Sequence, residues 1–339
     1  HKAIRRQRQM CIRDSLYSRA ILLYTILADK LLGGLLQMKN KVVIIGTGNV
    51  GVSYAYSLLS SNINIHEIVL IDINMQKAEG ESLDLLNCIP LTNTSSKIKF
   101  GTYEECNDAS IICITAGVSQ RANIASRMED LHNASNIFKE IVKSIAATKF
   151  NGIILVAGNP LDVMTYLTWK YSGLNSNKII GSGTSLDSAR LQNIIANKLE
   201  VSPKSVHAYV IGEHGNSQFV PWSNAKIGLE PISNYLSHED MINIEDETRN
   251  FGFKIAQKKN YTCFGIASAL TRITSAIIAD EKAIICVSSY DPVQKIFIST
   301  PSVIGINGVE KTGIMALNQE EIHKFENSAN IIRNAINEI

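Results

Sequence analysis

The run Lys41-Val42-Val43-Ile44-Ile45-Gly46-Thr47-Gly48-Asn49-Val50-Gly51 decides how the rest of this chain is read. Its first five residues are short, β-branched and, after Lys41, uncharged, which suits a parallel strand buried on both faces. Glycines at 46, 48 and 51 close the strand, and a helical pattern follows at once through Val52, Ala55, Leu58 and Leu59. In that context Gly46 permits a tight turn, Gly48 lets the backbone approach a pyrophosphate, and Gly51 allows close packing of helix on strand. The start of the helix supplies amide donors for the phosphates. A glycine triplet alone is weak evidence; its place between a strand and a helix gives it weight.

Downstream segments repeat the alternation. A second strand at 67–71 ends in Asp72, where a carboxylate accepts hydrogen bonds from ribose hydroxyls and repels a 2′-phosphate. NAD is therefore expected rather than NADP, the plainer alternative being a strand-end Asp that caps a turn. Further strands are expected at 98–100, at 109–114 ending in Thr115-Ala116-Gly117, and at 152–156 ending in Ala157-Gly158-Asn159-Pro160. Helical patterns lie between them, so the fold class is α/β with a doubly wound parallel sheet. Ligands of such sheets lie outside the carboxyl ends of the strands, where Thr115, Ala116, Gly117 and Asn159 fall.

The chain's bulk properties fit that reading. With 339 residues, 45% of them apolar, there is material for two modest domains. A formal net charge of +2 gives no electrostatic drive toward nucleic acid or an anionic membrane, so a small molecule is the expected partner. Six cysteines, Cys11, Cys88, Cys106, Cys113, Cys263 and Cys286, are irregularly spaced and read as reduced thiols of a cytoplasmic protein. No metal-ligand spacing, internal repeat or low-complexity linker is found.

Residues 1–37 do not belong with the rest. They open with His1, Lys2, Arg5, Arg6, Arg8 and Arg13, and their apolar run at 21–27 is interrupted by Asp29 and Lys30 long before a membrane span is complete. Met10-Cys11-Ile12-Arg13-Asp14-Ser15 resembles the translation of a sequencing-adapter oligonucleotide, so Met38 is the expected native start; a basic organelle transit peptide is the alternative.

Candidate chemistry lies in the second half. In Gly212-Glu213-His214-Gly215 a histidine stands between glycines that let a ligand approach the backbone, and imidazole titrates near neutral pH. Alone, the motif is equally a loop histidine with no task. Asp187 and Arg190 are three apart on an expected helix from Leu186 to Leu199 and share one face. They are either a surface ion pair or a carboxylate that orients His214 beside a guanidinium that clamps a substrate carboxylate in a two-point fork. Helices are expected at 245–260 and 261–280, antiparallel strands at 284–287 and 296–298, and a closing amphipathic helix at 319–339.

The glycine motif at 46–51, Asn159-Pro160-Leu161-Asp162, Gly181-Ser182-Gly183-Thr184 with Leu186-Asp187-Ser188-Ala189-Arg190, and Gly212-Glu213-His214-Gly215 are co-linear. In order and spacing they resemble the L-lactate/malate dehydrogenase superfamily, from about Met38 to the C-terminus. Residues 212–220 and 261–266 look most like the lactate and L-2-hydroxyisocaproate dehydrogenases. The resemblance implies a Rossmann-type NAD-binding domain over 38–180 and an α+β catalytic domain over 181–339. It implies catalytic roles for His214 as proton acceptor, Asp187 as its partner and Arg127 as a mobile-loop arginine that polarises the carbonyl. Arg190 is then the carboxylate anchor, with Asn159 on the reacting oxygen and Thr262 lining the pocket. Gly46, Gly48, Asn49, Val50, Gly51, Asp72, Lys77, Tyr103, Thr115 to Gly117 and also Asn159 meet the cofactor.

Two departures matter. The loop between Gly117 and Arg127 is one residue longer than usual for lactate enzymes, so the specificity position falls on Gln120 counting forward and on Arg121 counting back. Gln120 is preferred, because the strand fixes the start of the loop; it would face a neutral alkyl group, whereas an arginine would demand a second carboxylate. The second departure is Gln192, which replaces an arginine of the fructose-1,6-bisphosphate site in activated relatives, although His207 matches that site's histidine. The expected activity is an L-2-hydroxyacid dehydrogenase of glycolysis, foremost for lactate and pyruvate. Bulkier 2-oxo acids, then malate, and an idle NAD-binding scaffold are the alternatives. By analogy, a helix over 78–86 packs against a second subunit of a homotetramer or dimer.

Overall fold

The computed structural model of the chain describes residues 40–117 and 127–339, of which Lys41–Ile339 forms one compact unit. In chain order the strands and helices are β1 (Lys41–Ile45), α1 (Asn49–Leu59), β2 (Glu67–Ile71), α2 (Met75–Leu86), β3 (Lys97–Phe100), β4 (Ile111–Ile114), α3 (Arg127–Ala146), β5 (Ile153–Val156) and α4 (Leu161–Ser172). They continue with β6 (Ile179–Gly181), α5 (Ser185–Leu199), β7 (Val206–His207), β8 (Lys226–Ile227), β9 (Glu230–Pro231), α6 (His238–Lys259) and α7 (Phe264–Ile278). Last come β10 (Ala283–Asp291), β11 (Ile296–Gly305), β12 (Gly308–Lys311) and α8 (Gln319–Asn337).

Among the described residues the larger sheet has the order β12-β11-β10-β6-β5-β4-β1-β2-β3, and β1 to β6 are parallel throughout. The chain winds outward from β1 to β3 and then returns to lay β4 on the other side of β1. That reversal opens a crevice between the ends of β1 and β4, where an open α/β sheet binds its ligands. Alternation explains the layering. Val42 and Ile44 point into one apolar cluster with Leu58 and Leu59 of α1 and Leu270 and Ile273 of α7. Val43 and Ile45 point into the opposite cluster with Phe138 and Val142 of α3 and Met164 of α4. Both faces are covered, so the central strands β1, β4 and β5 carry no polar stripe, whereas the edge strand β3 alternates Lys97 and Lys99 with Ile98 and Phe100.

The last third differs in extent from the sequence-based expectation. The hairpin β10–β11 is much longer than its apolar runs suggested, and it joins the parallel sheet where Ser288 pairs with Gly181. Its hidden length is hydroxyl-bearing: Ser288, Ser289, Ser299 and Ser302 are all at most 1% exposed, with Ser289 and Ser302 hydrogen-bonded to each other at 3.1 Å. Helix α6 begins at His238 rather than 245, because Ser237 and Asp240 form a reciprocal capping box ahead of it. The short strand β6, with only the apolar pair Ile179-Ile180, and the small sheet β7-β8-β9, with no apolar run, were not anticipated. No helix among the described residues is long and apolar enough to cross a membrane. The five described cysteines are free thiols, four of them buried.

Candidate active site

The crevice is a cleft of about 890 Å³, a size suited to a cofactor and a small ligand. Gly48, Asn49 and Val50 line one end, Thr115 to Gly117 the strand end beside it, and Asn159, His214 and Thr262 the far end. Nine residues singled out from the sequence thus meet in one cavity. Gly46 and Gly51 shape it from behind: Gly46 has φ +102°, and a Cβ on Gly51 would lie 2.0 Å from the Gly46 carbonyl oxygen. Gly48 is different in kind, since a Cβ built on it meets nothing within 4 Å. Its side faces open cleft.

That opening fits a dinucleotide. Gly48 is the N-cap of α1 and gives the helix no side-chain cap, and the first turn carries no acidic residue. The amides there are left to an anionic guest. At the end of β2, the Asp72 carboxylate accepts the Thr47 amide at 2.7 Å, the Thr47 hydroxyl at 2.9 Å and the Asn74 amide at 2.9 Å. Burial works to raise its pKa, but these hydrogen bonds and the Lys77 charge outweigh burial and hold it below the ordinary value. Asp72 is therefore a charged group that braces the glycine turn. Lys77 is exposed in the first turn of α2, and Tyr103 packs against the second apolar cluster; neither lines the cleft.

At the far end the chemistry-bearing groups are linked. Asp187, 2% exposed on the first turn of α5, bonds with Oδ2 to His214 Nδ1 at 2.8 Å and accepts at Oδ1 from an Arg190 amino group at 2.9 Å. A solvated surface pair is excluded by that burial. Arg190 lies against Phe251, 6.0 Å from the ring centroid, and against Gly252, where an added Cβ would come within 3.3 Å of both amino groups. The His214 side chain keeps 29% exposure toward the cleft. Burial works to lower its pKa, yet the charge and hydrogen bond of Asp187, with a further contribution from Asp162, raise it above 6.5 against the opposing Arg190. For Asp187 burial works upward, and His214 and Arg190 together pull the pKa below the ordinary carboxylate value.

The loop itself is tied on several sides. Gly212 pairs with Ser299 of β11, the Glu213 amide donates to Ser328 of α8 at 2.8 Å, and the His214 amide donates to Asp162 at 2.7 Å. Glu213, which also lines the cleft, accepts the Ser217 amide and hydroxyl with its carboxylate. Asp162, Ser288 and Ser328 are thus neighbours of the histidine that sequence reasoning missed. A signal existed for one of them: Asp162 is a lone carboxylate in the apolar opening Leu161-Asp162-Val163-Met164 of its helix. Gln120 and Arg121 lie outside the described residues, and so does the side chain of Arg127, whose position starts α3. Among the described residues no group of three or more His, Cys, Asp or Glu is placed to hold a metal ion.

Known proteins place this geometry. Residues 40–181 match the NAD binding domain of lactate/malate dehydrogenase, and residues 184–339 match its alpha/beta C-terminal domain. An L-lactate dehydrogenase 2 of Bacillus anthracis is 39% identical over 304 residues, covering 87% of this chain and 96% of the relative. An L-lactate dehydrogenase of Halalkalibacterium halodurans is 40% identical over 298 residues, with the same coverage. Among solved structures, a lactate dehydrogenase from a Medee basin deep-sea metagenome library superposes with a TM-score of 0.86 at 40% identity, covering 88% of this chain and 98% of that one. The ligand-bound minor L-lactate dehydrogenase of Enterococcus mundtii gives 0.87 at 38%, covering 89% and 99%. With residues 40–181 and 184–339 matched by the two domains of one family and the glycine turn and His214 lining one cleft, this chain belongs to the lactate/malate dehydrogenase family, NAD-binding oxidoreductases.

Proposed function

We propose that the protein is an NAD-dependent L-2-hydroxyacid dehydrogenase that interconverts L-lactate and pyruvate. The observation that carries this reading is the arrangement His214–Asp187–Arg190, one carboxylate serving an imidazole that faces the cleft and a guanidinium beside it. When bound, NAD supplies the nicotinamide ring that exchanges a hydride with the substrate carbon. Nδ1 of His214 is committed to Asp187, so Nε2 is the nitrogen that exchanges a proton with the substrate oxygen. In lactate oxidation the hydroxyl proton passes to Nε2 as the carbon gives up its hydride, and Asp187 stabilises the resulting imidazolium. In pyruvate reduction the same proton returns. Arg190 anchors the substrate carboxylate, Asn159 hydrogen-bonds the reacting oxygen, Thr262 lines the pocket, Arg127 polarises the carbonyl and Gln120 faces the substrate methyl.

We assign residues 38–180 to NAD binding and 181–339 to substrate and catalysis. The protein is further proposed to be cytoplasmic and a homo-oligomer, tetramer or dimer. Helix α2 supports the latter, since it leaves Leu83 57% and Leu86 41% exposed, an apolar surface costly to leave in water. Steady-state oxidation of NADH with pyruvate, 2-oxoisocaproate and oxaloacetate tests the substrate. Preference for pyruvate supports the reading; preference for oxaloacetate puts Arg121 at the selective position, and turnover of none refutes an active dehydrogenase.

A further inference from the structure

Asn159-Pro160-Leu161-Asp162 contributes Asn159 to the cleft, yet Asp162 has no part in the chemistry above. It is 3% exposed at the first turn of α4. Its Oδ2 accepts the backbone amide of His214 at 2.7 Å, and its Oδ1 accepts the hydroxyl of Ser288 on β10 at 2.6 Å. Two acceptor contacts are within the reach of a neutral side chain, and a buried carboxylate is far costlier than a neutral one. Burial pushes its pKa up to about 6 despite the Ser288 and His214 hydrogen bonds. The charge itself therefore calls for a task.

We propose that Asp162 is a positioning residue of the dehydrogenase reaction, which pins the His214 backbone to the strand end that carries Asn159 and sets a second carboxylate, besides Asp187, behind the imidazole. The proposal rests on the reading of His214 as the proton-exchanging group. Two helices bring charge to this imidazole, α5 with Asp187 and Arg190 and α4 with Asp162, while Glu213 of the histidine's own loop acts on Asp162. Asp187 touches the ring, whereas Asp162 holds the amide behind it, so the two carboxylates act from different sides. One segment of four residues then sets both the group that binds the reacting oxygen and the histidine that protonates it. Errors of about 1 Å between such groups are enough to cost ~10²-fold in rate.

The test separates charge from geometry. In Asp162→Asn the amide oxygen can accept the His214 amide while its NH₂ donates to Ser288, whose hydroxyl can also accept, so the shape is kept and the charge removed. NMR titration of the His214 ring, assigned by the signals lost in His214→Asn, is expected to show a lower midpoint in Asp162→Asn than in the unsubstituted protein. The pH at which pyruvate reduction declines should move down with it, and NADH affinity should not change. An unchanged midpoint in folded Asp162→Asn overturns the charge role. Asp162→Ala should lose ~10²-fold in kcat/KM for pyruvate; full retention overturns the positioning role. Absence of pyruvate turnover in the unsubstituted protein would refute the dehydrogenase reading, while the NMR midpoint still judges Asp162.

Discussion

Gly48 and Gly51 sit three residues apart, and alanine at each should fail for opposite reasons. A Cβ on Gly51 would lie 2.0 Å from the Gly46 carbonyl oxygen and 2.8 Å from the Thr115 hydroxyl. Real contacts of this kind begin near 3.0 Å, so α1 must retreat by roughly 1 Å from the turn it packs on, an overpacking that costs about 1–3 kcal/mol. At roughly 2–4 °C per kcal/mol for a chain of this class, the melting temperature falls measurably. Gly48 has φ −73° and ψ −176°, which alanine adopts freely, and nothing within 4 Å of its added Cβ. Gly48→Ala should therefore stay within ~0.5 kcal/mol of the original stability. Its methyl group instead occupies the space a pyrophosphate needs. Displacing one charge-assisted amide contact costs about 1.5–3 kcal/mol, or at least roughly tenfold in Kd. Differential scanning calorimetry and fluorescence titration with NADH measure the two effects. Equal loss of stability in both variants, or unchanged NADH affinity in Gly48→Ala, refutes the assignment of that opening to the cofactor.

Other expectations follow from the far end of the cleft. Pyruvate reduction needs protonated His214, so its rate should decline as pH rises through a midpoint above 6.5, and lactate oxidation should rise over the same window; a midpoint below 6.5 contradicts the Asp187 linkage. The pair's contribution to stability should be lost at both extremes: as pH falls through the lowered pKa of Asp187, and as it rises through the raised pKa of His214. Calorimetry of Asp187→Asn against the unsubstituted protein across pH checks this. Arg190→Lys keeps charge but not the two-point fork, and should raise KM for pyruvate by about 10–100-fold, read from saturation curves. Gln192 already donates its side-chain amide to the Ala208 carbonyl at 3.1 Å. Fructose-1,6-bisphosphate should therefore leave the pyruvate saturation curve in place, and a leftward shift contradicts this.

The first half of the fold was legible because its central strands are apolar on both faces and end in residues with special backbone demands, as at Gly46 and Asn159. Asp72 was legible as a strand-end carboxylate, but its engagement of Thr47 depends on how the turn folds back. The second half was harder to read. Buried serines broke the hydrophobic pattern of β10 and β11, and a polar capping box hid the start of α6. His214, Asp187 and Arg190 were found by residue type and order, and their convergence by the turn of α5 below the loop. Asp162 and Ser288 stayed hidden because Asp162 accepts a backbone amide 52 residues away and Ser288 donates to the Asp162 carboxylate from 126 residues away. No local pattern encodes such contacts.

The most direct test of the account is single-turnover and steady-state kinetics of His214→Ala with NADH and pyruvate. The imidazole held by Asp187 is the proposed proton donor, so the variant should bind NADH normally and lose ~10²–10⁴-fold in turnover. Turnover within a few-fold of the original would contradict the assignment of the chemistry to this cleft.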